Sequence, residues 1–196
     1  MPTPHIVLVS GSLRPGSTSD RVAQWCARRC AERGATTSVL AGADIDFPAY
    51  RPGLAATHPP VAAYLDELRR CDGVVLVSPT YHATLSGLLK NALDYVNDID
   101  GPLPYLEGRP IGCVAVGSGA QGAVSTLTTL RTISHALRAW PTPLAAAVTS
   151  APAPLPPGAS ATSPDDERLV DIVGQVLWMA RIRAAAHPSD TIRAAA

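Results

Sequence analysis

Two patterns of apolar and polar residues alternate along this chain. Short runs of consecutive apolar residues, typical of strands buried on both faces of a sheet, predict strands near 5–10, 36–41, 73–78, 110–117 and 143–149. Between and after them, apolar residues recur at helical spacing and predict helices near 17–33, 59–70, 86–97, 122–139 and 165–186. This alternation predicts an α/β fold, a three-layer sandwich with helices on both faces of a five-stranded parallel sheet.

The expected strand order in this sheet is 2-1-3-4-5. Right-handed crossovers and a reversal beside strand 1 then place a ligand crevice at the carboxyl ends of strands 1, 3 and 4. Three segments that carry turn-forming and polar residues follow those strands directly, at 10–19, 79–82 and 117–123. We therefore expect the three segments to form one site.

The first of these segments, SGSLRPGSTS, has the composition of a phosphate-binding turn. Gly11 and Gly16 allow a tight turn, and the N-terminus of the next helix adds unpaired N–H groups and a positive dipole. Arg14 adds a cation whose fork matches phosphate oxygens, whereas an ordinary strand-to-helix connection, the alternative, does not require it. One of the last three hydroxyl residues can also cap the helix. The candidate phosphate-binding residues are Ser10, Ser12, Arg14, Ser17, Thr18 and Ser19.

The type of phosphate is constrained by motifs that the sequence lacks. There is no G-x-x-x-x-G-K-[ST] pattern, and the turn lacks the third glycine of the dinucleotide pattern G-x-G-x-x-G. A loop that surrounds one terminal phosphate with hydroxyls and amides favours a mononucleotide such as FMN. Asp20, in the first turn of the helix, would repel a close phosphate, so we expect its carboxylate to point to solvent.

The other two segments suit the flat ring of a flavin. Pro79 is expected to end strand 3 and turn Tyr81 and His82 toward the crevice as an aromatic wall, with the backbone amides of Thr80, Tyr81 and His82 as donors to the ring. In the third segment, GSGAQGA, a ring edge or a nicotinamide could approach the backbone closely. The alternative is a tight turn that opens helix 4. Its candidate residues are Ser118, Gly119 and Gly122.

Two of these segments resemble motifs of a known family. GSLRPGSTS is similar to the G-S-x-R-x-x-S-x-N/S loop of the NADPH-dependent FMN reductase family of flavodoxin-like proteins. SPTYHATLSGLLKNALDYV, residues 78–96, resembles that family's P-x-Y-x-x-x-x-x-G-x-L-K-N-x-L/I-D segment, which lies along the flavin ring. With the glycine-rich turn, the resemblance covers most of residues 5–150 in the expected order.

The resemblance implies a flavodoxin-like fold with FMN and NADPH, or NADH, as cofactors. It implies hydride transfer from the nicotinamide to flavin N5, with electrons leaving as reduced FMN, for instance to a flavin-dependent monooxygenase, or passing to a small acceptor such as a quinone. It also implies a homodimer or homotetramer. We assign no catalytic side chain. The alternatives are a flavodoxin-like electron carrier and a non-catalytic binding module on the same scaffold.

Composition narrows the class of partner. The chain has 196 residues, 46% of them hydrophobic, and 16 basic residues balance 16 acidic ones without a basic block. These values favour one globular domain, expected at 1–186 with a flexible tail at 187–196, and disfavour nucleic acid and anionic membranes as partners. With no apolar stretch of about 20 residues and no secretory leader pattern, a cytoplasmic location is expected.

The remaining candidate chemistry is interpreted as structural. The four cysteines show no C-x-x-C spacing and the five histidines no metal-binding pattern, so we expect packed thiols and no metal site. Phe47 and Tyr50, on the irregular loop after strand 2, either contact a partner subunit or anchor the loop to its own domain. Ser163 before Pro164 is expected to cap the last helix.

Overall fold

The structure is a computed structural model that describes residues 3–149 and 163–186. The predicted tail at 187–196 and most of the Pro-rich connection before the last helix lie outside the described residues. The strands are β1 His5–Ser10, β2 Thr36–Ala41, β3 Gly73–Tyr81, β4 Thr84–Leu85, β5 Pro110–Val116, β6 Trp140–Pro141 and β7 Ala146–Val148. The helices are α1 Thr18–Glu32, α2 Pro59–Arg70, α3 Gly87–Asp94, α4 Ala120–Ala136 and α5 Pro164–Ala186.

The sheet has the predicted doubly wound topology. Its order is β2-β1-β3-β5-β6, and all of these neighbours are parallel. Val9 illustrates the register of β1, because it pairs with Leu40 on β2 and with Leu76 on β3. β5 is the predicted fourth strand, so the predicted order 2-1-3-4-5 is confirmed.

Two short strands occupy the place of the predicted fifth strand: β7 lies within 143–149, and β6 precedes that range. β6 and β7 each pair in parallel with β5, and the chain between them leaves the ladder. Pro143, which cannot donate an N–H, lies in this gap, and the next amide, that of Leu144, donates to Gln175 Oε1 on α5 at 3.1 Å. The strand predicted near 143–149 is therefore present but shorter, over 146–148.

Strand β3 continues past Pro79, which was predicted to end it. Pro79 pairs with Val116 of β5, and the strand then turns back to pair with β4 as an antiparallel hairpin. The last pair between β1 and β3 is Ser10 with Val77, so no residue of β1 lies opposite the missing N–H of Pro79. A proline at this position is compatible with a continuing strand.

Helices cover both faces of the sheet, which explains the continuous apolar runs. Alternate residues of β1 and β3 pack into two separate cores, with Val7 and Val74 facing α2, α3 and α4. Leu8 and Val75 face α1 and α5 on the opposite side. All four side chains are fully buried. The three-layer sandwich is therefore confirmed.

The loop after β2 is anchored to its own domain. Phe47 is 7% exposed and packs edge-on against Tyr64 and Tyr95, with ring centroids 5.2 and 5.5 Å away. Asn91 of α3 fixes the same loop, since its amide donates to Phe47 O and Pro48 O and its carbonyl accepts from Tyr50 N at 2.8 Å. These contacts favour the intramolecular alternative for Phe47 and Tyr50.

Other sequence-level expectations concern thiols, caps and membrane segments. All four cysteines are buried and free in the described part of the chain, and burial raises the pKa of Cys30 to about 12 and that of Cys113 to about 11. Ser163 Oγ accepts from Asp166 N at 3.2 Å, as expected of a helix cap.

Within 3–149 and 163–186, no cluster of three potential ligands could hold a metal ion, and no helix is long and apolar enough to span a membrane.

The hairpin between β3 and β4 turns through His82 and Ala83, both with positive φ, 49° and 64°. Ala83→Gly is expected to raise the free energy of unfolding by about 0.5–1 kcal/mol. The substitution relieves about 1–2 kcal/mol of steric strain in the folded protein. This gain exceeds the stabilisation of the unfolded chain by its added conformational entropy, about 0.4–1 kcal/mol. Urea denaturation of the ligand-free protein measures this change.

The matched control is Ala63→Gly on the exposed face of α2. This substitution should lower the free energy of unfolding by about 1 kcal/mol, because glycine is unfavourable inside a helix. Equal destabilisation by both substitutions would show that the turn at Ala83 is not strained.

Candidate functional site

The site begins at the loop that joins β1 to α1. Gly11 starts this loop, and its amide donates to Val77 O of β3 at 2.8 Å. A Cβ atom at Gly11 would lie 2.7 Å from Ser86 Oγ and 2.9 Å from Leu89 Cβ. Glycine is therefore required here because the N-terminus of α3 packs directly against the loop.

The hydroxyl residues of the loop order its backbone. Ser17 is the N-cap of α1, and its Oγ accepts from Asp20 N at 3.1 Å. Ser12 Oγ accepts from Arg14 N at 3.3 Å. Since the first amides of an α-helix have no partner within the helix, the N–H groups of Thr18 and Ser19 are available to a ligand. The loop thus presents free donors and the positive end of a helix dipole at one place.

This loop forms one wall of a cleft of about 550 Å³ at the carboxyl end of the sheet. The volume is in the range of small-molecule sites. β3 and the turn after β5 supply the other walls, so the cleft unites the three segments expected to meet. Nine of the thirteen predicted site residues line it: Ser12, Arg14, Ser17, Thr18, Ser19, Pro79, Thr80, Tyr81 and Ser118.

Four predicted site residues do not line the cleft. Ser10 is fully buried beneath the loop. His82 lies at the exposed tip of the hairpin, one residue beyond Tyr81. Gly119 is the N-cap of α4, which begins two residues earlier than predicted, and Gly122 lies inside the first turn of that helix. Their assignment as direct ligand contacts stays a prediction.

Asp20 does not have the orientation expected from the sequence. Its carboxylate turns inward, where Oδ1 accepts a hydrogen bond of 2.5 Å from Ser10 Oγ, and the residue is only partly exposed. The two residues satisfy each other, because Ser10 is buried and needs a partner. The expectation of a solvent-facing carboxylate was wrong, and Ser10 and Asp20 together support the loop from below.

Two residues of the loop and its helix were missed by the sequence analysis. Arg21, one turn into α1, donates to Gly16 O and to Thr18 Oγ1, so it fixes the second half of the loop. Leu13 lines the cleft although it is 54% exposed. A single apolar residue between polar neighbours was the available signal for Leu13. An arginine three residues after a hydroxyl at the start of a helix was the signal for Arg21.

Apolar and aromatic side chains also line the cleft. Tyr81 of β3 is 55% exposed, and Leu13 of the β1–α1 loop is 54% exposed. Large apolar side chains with exposure of this kind at a concave site mark surfaces that a ligand covers. The cleft therefore combines anion-binding groups with apolar surface suited to a flat ring.

Thr80 provides a test of whether a polar ring fits this cleft. Its Oγ1 is buried and has no hydrogen-bond partner among the residues that the structure describes. A Cβ at Gly117 would lie 3.1 Å from this oxygen, and one at Gly122 would lie 3.2 Å from Thr80 Cγ2. The two glycines thus make room for Thr80 and not directly for a ring. A buried hydroxyl without a partner at a cleft wall fits a ligand with polar edge atoms, such as a flavin.

Comparison with known proteins identifies the family. Residues 4–153 match the NADPH-dependent FMN reductase family, and the chain belongs to that family. The quinone reductase of Pseudomonas putida strain KT2440 is 35% identical over 124 residues, 60% of this chain and 62% of that protein. The FMN-dependent NADPH-azoreductase of Staphylococcus haemolyticus is 26% identical over 136 residues, 67% of this chain and 69% of that protein. The chain thus aligns with somewhat less than two thirds of the length of the quinone reductase.

Solved structures share the fold. FerB, a flavoenzyme NAD(P)H:(acceptor) oxidoreductase from Paracoccus denitrificans, superposes with a TM-score of 0.68 at 18% identity, covering 92% of this chain and 99% of that one. RosB with bound 8-demethyl-8-formylriboflavin-5'-phosphate superposes with a TM-score of 0.74 at 17% identity, covering 98% and 85%. At these identities the likeness shows a shared flavodoxin-like architecture and no more.

Ser17→Ala is expected to lower the free energy of unfolding by about 1 kcal/mol, since it removes the cap of α1. Thermal or urea denaturation without ligand checks the value. Ser125→Ala, at an exposed position of α4, is the matched control and should leave stability nearly unchanged. Equal effects of the two substitutions would contradict a capping role for Ser17.

Proposed function

We propose that this protein is an NAD(P)H-dependent flavin reductase that binds FMN in the cleft between the β1–α1 loop, β3 and the turn after β5. The observation that carries the proposal is the composition of the walls of that cleft. The β1–α1 loop brings hydroxyls, helix N-terminal amides and the cation Arg14 to one wall, and β3 brings the exposed Tyr81 to another. Membership of the NADPH-dependent FMN reductase family supports the same assignment.

The phosphate of FMN would lie at the N-terminus of α1. The amides of Thr18 and Ser19 point there without helical partners, and Ser12 and Ser17 keep hydroxyl protons to donate after accepting from the backbone. Arg14 is exposed and has no rigid partner among the described residues, so its fork is free to close on phosphate oxygens. Arg21 contributes by holding Gly16 and Thr18 in place.

The ring would lie between Leu13, Thr80 and Tyr81. Leu13 and Tyr81 offer apolar surface on the open side of the cleft, and Pro79 and Val116 form part of its wall. When bound, FMN would supply the redox chemistry, namely the uptake of a hydride from the nicotinamide at N5 and the transfer of its two electrons, with protons, to an acceptor. The protein orients the two rings and excludes water, because hydride transfer depends on alignment more than on proton transfer.

The electron acceptor is the open part of the proposal. Named relatives include quinone reductases and an FMN-dependent azoreductase, which favours transfer to a small quinone-like or azo acceptor on the enzyme. Release of reduced FMN to a monooxygenase is the second route that the resemblance implied. A homodimer or homotetramer and a cytoplasmic location remain predictions that accompany the proposal.

The first test is anaerobic. The pure protein is mixed with one equivalent of FMN, and the visible flavin band is followed on addition of NADPH and, separately, NADH. A band that shifts on binding and bleaches within seconds supports the reductase and ranks the two nicotinamide cofactors. FMN that binds but stays oxidised would instead indicate an electron carrier, and failure to bind would indicate a binding module for another ligand.

Arg14→Ala tests the phosphate end of the site. Loss of a hydrogen bond between charged groups should weaken FMN binding by roughly 1.5–3 kcal/mol, measured by quenching of flavin fluorescence. Binding of riboflavin, which lacks the phosphate, should not change. Arg28→Ala, on the exposed side of α1, is the matched control. Unchanged FMN affinity in Arg14→Ala would remove this residue from the site.

A further inference from the structure

The side-chain hydroxyl of Thr80 is a cleft feature that the phosphate loop and the aromatic wall do not use. Thr80 lines the cleft and lies in the last pairs of β3, opposite Leu85 of β4. Its Oγ1 is shielded from solvent and has no hydrogen-bond partner in the described part of the chain. Removing this hydroxyl from water costs free energy that no hydrogen bond offsets, and buried polar groups without a partner are rare in proteins. Its presence here therefore needs an explanation.

The position of this side chain is set from two sides. The space for its Oγ1 and Cγ2 exists because residues 117 and 122 are glycines, with ideal Cβ positions 3.1 and 3.2 Å from those atoms. The hairpin that follows holds its backbone, because Thr80 pairs with Leu85 and the chain then turns through two residues of positive φ. The backbone of Thr80 is therefore fixed at the wall of the cleft, and the rotation of its side chain is the freedom that the hydroxyl keeps.

We propose that the Thr80 hydroxyl donates a hydrogen bond to a polar edge atom, a nitrogen or carbonyl oxygen, of the bound flavin ring, and thereby positions the ring and favours its reduced form. Rotation about the Cα–Cβ bond is sufficient to turn the hydroxyl from Gly117 toward the cleft. Negative charge collects on this edge of the ring on reduction, so a donor there stabilises the reduced state more than the oxidised one. The inference rests on the proposed binding of FMN.

The decisive substitution is Thr80→Val, which keeps the shape of the side chain and removes the hydroxyl. FMN should bind about fivefold more weakly, the effect of one neutral hydrogen bond. Riboflavin should lose affinity by the same factor, because the contact is to the ring. The ligand-free variant should melt at a higher temperature than the wild type, because the unpaired hydroxyl is gone. The midpoint potential of bound flavin should become more negative.

Thr80→Ser is the rescue variant, since it keeps the hydroxyl and loses only the methyl group that faces Gly122. Its FMN affinity should stay within about twofold of the wild type, well below the effect of losing one hydrogen bond. Thr80→Ala is a second loss-of-hydroxyl variant in case Thr80→Val does not fold. A purely structural role would lower stability and affinity together, whereas the proposal requires opposite changes in the Val variant.

Each outcome either supports or overturns the proposed hydrogen bond from Thr80 to the flavin ring. Weaker binding of both flavins by Thr80→Val with rescue by Thr80→Ser supports the contact. Unchanged affinity in the Val or Ala variant overturns it, as does a loss for FMN alone, which would place the effect at the phosphate. The wild type is titrated first. If it does not bind FMN, the proposed function fails and this inference fails with it, whereas binding by all variants alike overturns only the inference.

Discussion

The parallel ladder between β1 and β3 is the constraint on which the cleft depends. It stops at the pair of Ser10 and Val77, and one more bond, from Gly11 N to Val77 O, joins the loop to the sheet. Beyond that point the two strands separate. The chain after β1 becomes the loop that leads into α1, and β3 continues through Pro79 to the hairpin. The cleft is the space between them, so its depth and its walls follow from where this ladder ends.

The loop on one side of this cleft keeps its shape without a ligand. Ser17 caps α1, Ser12 holds the backbone of Arg14, and the Ser10–Asp20 bond supports the turn from beneath. Asp20 is compatible with an anion nearby because its carboxylate turns inward to the Ser10 hydroxyl, while Arg14 lines the cleft. A preorganised set of donors of this kind lowers the ordering cost of binding.

The other side of the cleft contains features that are unfavourable in the ligand-free chain. Tyr81 is more than half exposed, the Thr80 hydroxyl is buried without a described partner, and two non-glycine residues turn the hairpin in the left-handed region. Each has a cost, and each lies within a few residues of the proposed ring site. Unfavourable local features that cluster in this way are typical of binding sites.

The sequence by itself determined the α/β class, the strand order and the place of the site. Apolar runs and helical spacing are local signals that the sequence shows directly. Because the carboxyl ends of parallel strands share one edge of a sheet, the proximity of three motifs that follow strands could be predicted from the sequence. For the same reason most of the cleft-lining residues, including Arg14, Thr80 and Ser118, were predicted from the chain alone.

Only the tertiary structure decided which residues each polar side chain contacts and where each strand ends. That Asp20 turns to Ser10, that Pro79 stays within a strand, and that Gly117 and Gly122 accommodate Thr80 all depend on contacts with residues distant in the sequence or on where a neighbouring strand ends. Between β6 and β7, the amide of Leu144 likewise has its partner on a distant element, Gln175 of α5. A hydrophobic pattern gives the period of an element, but it does not give the partner of a hydroxyl or the end of a ladder, because those are set by packing.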